Sequence, residues 1–202
     1  MVKKVLTDIY RYWFGDPDDM SPEAAKARMD MWFGAKAETD DHIRDTFGKY
    51  LPAAKDTEWD LAHLSHEEQV ALVILLDQFP RNIYRTTADA FAYDAKALHV
   101  ARQLTKNGTD SERFSPTERI FVHLPFMHSE DIANQDVAVL LYAAEVLRAP
   151  PDRVESARGG LDFATKHRDI IRKFKRFPHR NVMLGRESTP EELEFLKGGR
   201  GF

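Results

Sequence analysis

Ser65-His66-Glu67-Glu68-Gln69-Val70-Ala71-Leu72-Val73-Ile74-Leu75-Leu76-Asp77-Gln78-Phe79-Pro80 is the stretch that decides the fold. A serine followed three residues later by glutamate is a capping box, in which each side chain bonds the other residue's backbone N–H. From Val70 to Leu76 every position is apolar, so the helix must be buried all round. The run is far too short to cross a bilayer, and no membrane partner is expected. Pro80 should end the helix.

The same punctuation recurs on both sides. Val5, Leu6, Ile9, Tyr10, Trp13 and Phe14 fall at helical spacing, with Gly15 as the cap. Ser21-Pro22-Glu23 opens a second helix toward Phe33 and Gly34, and a third carries Ile43, Phe47 and Tyr50. Downstream, a helix from about Asp94 to Lys106 closes at Gly108. Ser115-Pro116-Thr117-Glu118 is a second capping box, whose helix should be interrupted at Pro125. A new helix near Ser129 would turn Val137, Leu140, Leu141, Ala144 and Leu147 inward. After Pro150-Pro151 a long helix carries Val154, Ala157, Leu161, Ala164, Ile171 and Phe174, with Pro178 as its end. Thr189-Pro190-Glu191-Glu192 caps the last one. No run alternates apolar and polar residues, so the class is all-α, with stacked antiparallel hairpins. No thirty-odd-residue repeat is visible. Without a linker, residues 1–202 read as one domain, with 198–202 a loose tail.

Composition narrows the function. With no cysteine there is no disulfide, thiolate metal site or cysteine nucleophile, and the chain reads as cytoplasmic. A net charge of −4 argues against nucleic acid as a partner. His123 and His128 are five residues apart across a proline, and no His-Glu-x-x-His exists, so neither a metal ligand set nor a cofactor is expected. There is also no serine elbow, phosphate loop or dinucleotide fingerprint.

Three segments share one design, an apolar helix stopped by proline and followed by polar residues: Asp77 to Asn82, Leu124 to Glu130, and Arg176 to Asn181. Cations there can simply cap helix ends. Together with His167-Arg168-Asp169-Ile170-Ile171 and Leu184-Gly185-Arg186-Glu187-Ser188-Thr189, these segments resemble the bacterial domain-of-unknown-function 924 family. The resemblance runs from Trp13-Phe14-Gly15 to Phe195-Leu196, and Lys175 stands where the family pattern usually has glycine. It implies a tetratricopeptide-like helical superhelix and brings no established activity.

His167 falls in the middle of the face holding Phe163, Ile170, Ile171 and Phe174, so it should be buried with both ring nitrogens needing partners. It is either a satisfied core histidine or a general acid–base. Asp77 continues the most apolar helix and needs a cation, which Arg81 could supply. His128, Glu130 and His167 are the candidates for acid–base chemistry. Asp77, Arg81, Asn82, His179, Arg180 and Arg186 are the candidates for ligand binding. From Lys166 to Arg186 there are eight Lys and Arg against Asp169 alone, with Arg168, Arg172 and Arg176 in one stripe. Two functions are open: a small-molecule enzyme or binding protein for an anionic ligand, or a helical module for a protein or peptide partner. The second would use the polar motifs as caps and clasps only. A strongly helical far-UV circular dichroism spectrum is expected; a mixed helix–strand spectrum would overturn the class.

Overall fold

A computed structural model describes residues 2–15 and 22–199. The expected Ser21 cap and the tail beyond residue 199 lie outside them. Among the described residues every regular element is helical, which establishes the all-α class. The chain forms two compact units, residues 1–85 with 89–122, and residues 86–88 with 123–202.

The first unit contains α1 (Val2–Phe14), α2 (Pro22–Phe33), α3 (Ala37–Phe47), α4 (Leu51–Asp56), α5 (His66–Val73), α6 (Phe79–Ile83), α7 (Asp94–Leu104), α8 (Asp110–Arg113) and most of α9 (Pro116–Met127). Both capping boxes are made as the sequence predicts. Glu68 N–H donates to Ser65 Oγ at 3.2 Å, and Ser65 N–H to Glu68 Oε2 at 2.8 Å. The box at Ser115 and Glu118 repeats this. Val70 to Leu76 are wholly buried. Helix α1 lies along α5 and buries Val5, Leu6, Ile9 and Trp13. The Trp13 ring meets Phe79 and Phe121 edge-on at 5.7 and 5.5 Å, an arrangement aromatic quadrupoles favour.

Pro80 does not end the buried helix. The chain passes through one wide π-helical turn, Ile74–Gln78, and continues as α6. Phe79 N–H donates back to Ile74 O, and the wide turn accommodates the proline that follows. Pro125 likewise lies inside α9, where burial of Phe121, Val122, Phe126 and Met127 outweighs one missing backbone hydrogen bond. The short helix α8 has too few residues for periodicity to reveal.

The second unit contains α10 (Ile132–Arg148), α11 (Val154–Phe174) and α12 (Pro190–Lys197). Tyr142 lies against Gly160, and Asp136 reaches Arg172 at 3.0 Å, so α10 and α11 form an antiparallel hairpin. One expectation fails here, the inward face of α10. The helix starts at Ile132, close to the expected Ser129, and the Asp131 carboxylate caps it by accepting from Ala133 N–H at 2.7 Å. Its buried face is Asn134, Gln135, Ala138, Tyr142 and Glu145, whereas Val137, Leu140 and Leu147 are 38%, 69% and 89% exposed. The polar residues can be buried because the loop before the helix satisfies them. Gln135 Nε2 donates to Met127 O and Ser129 O, both at 2.6 Å, and Asn134 Nδ2 to Ser129 Oγ at 2.8 Å.

Helix α11 also ends earlier than Pro178. Lys175 adopts φ 62° and ψ 5°, a left-handed cap, while its N–H donates to Ile171 O. Glycine adopts this conformation without penalty, whereas Cβ makes it costly for other residues. Ile170, Ile171 and Phe177 form the local core, with Phe174 and Phe195 packed against it. Since the Lys175 side chain is exposed, Lys175→Gly should stabilise the protein by about 0.5–1 kcal/mol. Urea denaturation measures this; a loss of stability would show that the side chain contributes more than its backbone strain costs.

Candidate functional site

The polar residues of the second unit gather around the buried ring of Phe177. The His167 ring meets it edge-on at 5.6 Å, the His179 ring lies tilted at 5.6 Å, and the Arg180 guanidinium sits over it at 4.6 Å. His167 comes from α11. His179 and Arg180 come from a single 3-10 turn, Pro178–Arg180, that follows the left-handed cap. The Phe177 backbone is used as fully as its ring. Its N–H donates to Glu130 Oε1 at 2.8 Å, and its carbonyl accepts from Arg180 N–H and Arg186 Nη2.

Glu130 ties two loops together. Arg186 donates to both of its oxygens, at 2.7 and 2.9 Å, in the bidentate geometry that gives this pair strength and direction. Burial pushes the Glu130 carboxyl up, but the Arg186 and Phe177 hydrogen bonds outweigh it and hold the group ionised below the ordinary carboxylate range. Arg186 Nε donates to Asn181 Oδ1 at 3.0 Å, and Asn181 Nδ2 to Ser188 Oγ at 3.0 Å. Arg176 grips both oxygens of Glu192 at 2.7 and 2.8 Å. That grip, with the Thr189 cap, pushes the Glu192 carboxyl down to about 2. The basic stripe seen in the sequence is therefore paired: Arg172 with Asp136, Arg176 with Glu192, and Arg168 with its neighbour Asp169 at 3.4 Å.

His167 is 6% exposed and its Nδ1–H donates to Phe163 O at 2.8 Å, a tautomer that leaves Nε2 as an acceptor. Burial pushes its pKa down to about 3, against the raising effect of the Phe163 hydrogen bond, and His128, Arg180 and His179 each lower it by less. His179 is pushed down to about 4, by burial first and then by Arg180. Both rings are neutral at neutral pH. His128, His167, His179, Arg180, Arg186 and Glu130 thus share one electrostatic neighbourhood.

Asp77, Arg81 and Asn82 belong to the first unit. Arg81 donates to both oxygens of Asp94 at 2.9 and 3.0 Å and to Asp77 O at 2.6 Å, and it lies 3.4 Å from the wholly buried Asp77 carboxylate. The i, i+4 pairing of Asp77 with Arg81 exists because the helix continues through Pro80. Asn82 Nδ2 donates to Asp40 at 2.8 Å, and Arg85 pairs with the same carboxylate. Burial pushes Asp40 up, but Arg85 and Asn82 hold it below the ordinary range.

Sequence reasoning missed Phe177 as the centre of the cluster, Gln135 as the support of the His128 loop, and Asn181 as the partner of Arg186. Phe177 and Asn181 stood within the quoted third segment, but nothing local distinguishes a ring that packs three polar side chains from any core phenylalanine. Among the described residues no group of three acidic or histidine side chains is placed to hold a metal ion, and no helix is long and apolar enough to cross a membrane.

The buried His167 and half-buried His179 have a consequence for stability. Above pH about 6.5 they are neutral in both folded and unfolded chains. As pH falls below that value, the unfolded chain takes up protons that the folded one refuses until about pH 4 for His179 and 3 for His167. Stability should therefore fall between pH 6.5 and 4, by up to about 1.4 kcal/mol per pH unit for each histidine. Glu130 and Glu192 add losses only below the ordinary glutamate range. Urea denaturation at pH 7, 6, 5 and 4 measures the slope, and His167→Gln should flatten it by about half. An unchanged slope in that variant would show that the ring titrates normally in the fold.

A solved structure of a protein of unknown function from Agrobacterium tumefaciens shares 36% identity, covering 98% of this chain and 99% of that one, with a TM-score of 0.78. No curated protein matches the chain. The model of the family described as bacterial protein of unknown function (DUF924) matches residues 9–200, and this chain belongs to that family.

Proposed function

We propose that the polar cluster around Phe177 takes up a small anionic molecule, and that the protein is a cytoplasmic small-molecule enzyme or binding protein. The observation that carries this reading is the electrostatic company of His167 and His179. Each has its charged form disfavoured by His128 and Arg180. An anion beside these groups reverses that penalty, since it stabilises every cation around it. Arg180 and His179 are the binding groups in this reading, and Arg186, held by Glu130 and Asn181, supports the segment that carries them. His167 and His128 are the groups able to accept or return a proton, His167 through Nε2 because Nδ1 is committed to Phe163 O. Glu130, with both oxygens engaged, positions the 177–186 segment rather than donating a proton. In the first unit, Arg81 and Asn82 face the carboxylates of Asp94, Asp77 and Asp40, which supports a clasp there rather than contact with an anion.

The second reading, a module for a protein or peptide partner, is supported by α10. Val137, Leu140 and Leu147 form an exposed apolar edge along it, of the kind that helix-binding surfaces use.

Proton NMR titration of the histidines with and without inorganic phosphate tests the first reading. Phosphate should raise the His179 pKa from about 4 toward 6.5 and raise the melting temperature. Both effects should shrink in Arg180→Gln and in His179→Gln. Histidine pKa values and a melting temperature unmoved by phosphate and by small carboxylates would overturn it.

A further inference from the structure

The first unit carries a groove of about 490 Å³, a volume suited to a small organic molecule, bordered by Trp59, Leu61, Gln69, Leu104 and Arg113. We infer that this groove binds a flat aromatic monocarboxylate, with Arg113 taking the carboxylate and Trp59 facing the ring.

The state of Arg113 carries the inference. Arg81, Arg176 and Arg186 are each closed by a carboxylate held through two oxygens. Arg113 instead donates to the neutral amide oxygen of Gln69 and lies over the Phe114 ring at 5.3 Å. Among the described residues it makes no ion pair, so its charge remains available to a ligand. Its orientation is built from below. Gln69 is 3% exposed, and its Nε2 donates to Leu61 O at 2.8 Å and Leu64 O at 3.1 Å. With the amide nitrogen thus committed, only Oε1 is left for Arg113. A guanidinium fixed by one edge presents its remaining donors as a fork, the geometry that fits a carboxylate.

Trp59 supplies the apolar wall. Its indole N–H donates to Ala54 O at 2.9 Å, which fixes the ring and leaves its faces for contact rather than hydrogen bonding. Asp60 also borders the groove. Its carboxylate is spent on the local turn, accepting from Ala62 N–H at 3.1 Å and lying 2.8 Å from His63 Nδ1. The negative charge nevertheless remains on the border of the groove, so a single carboxylate is favoured over a phosphate dianion. Leu61 and Leu104 add apolar lining.

Benzoate is the probe, titrated into the full chain with the Trp59 indole N–H followed by ¹H–¹⁵N NMR and assigned with Trp59→Phe. All three tryptophans belong to the first unit, so the signal is independent of the phosphate effect at the histidines. A saturable shift is expected, with the Kd weakened at least about tenfold in Arg113→Gln. Acetate, which lacks the ring, and inorganic phosphate should bind more weakly than benzoate. Arg113 is exposed, and an unchanged melting temperature of the variant confirms that its fold is kept. A benzoate shift that does not saturate, or equal affinity in Arg113→Gln, overturns the inference. Acetate or phosphate binding as tightly as benzoate overturns the assignment of ligand class.

Discussion

The pairing of Glu130 with Arg186 is the constraint on which the second unit's polar half depends. Glu130 sits on the loop between α9 and α10, and Arg186 on the segment between α11 and α12, 56 residues later. Their bidentate contact, with the Phe177 N–H on the same carboxylate, sets where the 177–186 segment can lie. Once Phe177 is placed, the positions of His167, His179 and Arg180 around its ring follow from packing. The pair is about three-quarters buried on each side, so it is screened less than a surface ion pair. It also needs every remaining donor and acceptor satisfied, and Asn181 and the Phe177 carbonyl meet that need for Arg186.

The first unit handles buried charge by the same rule. Asp77 and Asp40 are both buried, and each is matched by arginine and by an amide side chain: Gln78 at 2.5 Å for Asp77, Asn82 for Asp40. A buried carboxylate without such partners would be too costly to keep ionised. Arg113, exposed on the same unit, has a neutral partner, the Gln69 amide, and a cation so fixed beside a groove is a physical reason to look for a ligand there.

Much of the candidate site was legible as a set of residues and illegible as an arrangement. The three proline-marked segments were visible, and so was the burial of His167 from its helical face. The buried face of α10 is not the one its apolar residues mark. Burial is a one-way rule: Leu140 and Leu147 can remain in water at modest cost, while Gln135 and Asn134 can be buried once Met127 O, Ser129 O and Ser129 Oγ accept their protons. Those acceptors lie on the preceding loop and carry no local sequence signal. The helix ends were misplaced for a related reason. A proline removes one hydrogen bond, and dense burial around Pro80 and Pro125 compensates for it.

What the sequence determined by itself was the helical class, the capping boxes at Ser65, Ser115 and Thr189, and the continuous burial of Val70 to Leu76. These depend on residues within one or two turns of each other, where side chain and backbone must interact whatever the rest of the chain does. Only the tertiary structure decided which arginines are neutralised by carboxylates and which are not, which face of α10 is buried, and why position 175 favours glycine. Each of those outcomes depends on groups distant in sequence or on backbone geometry set by packing, and a charge or a polar side chain takes its role from whatever the fold brings beside it.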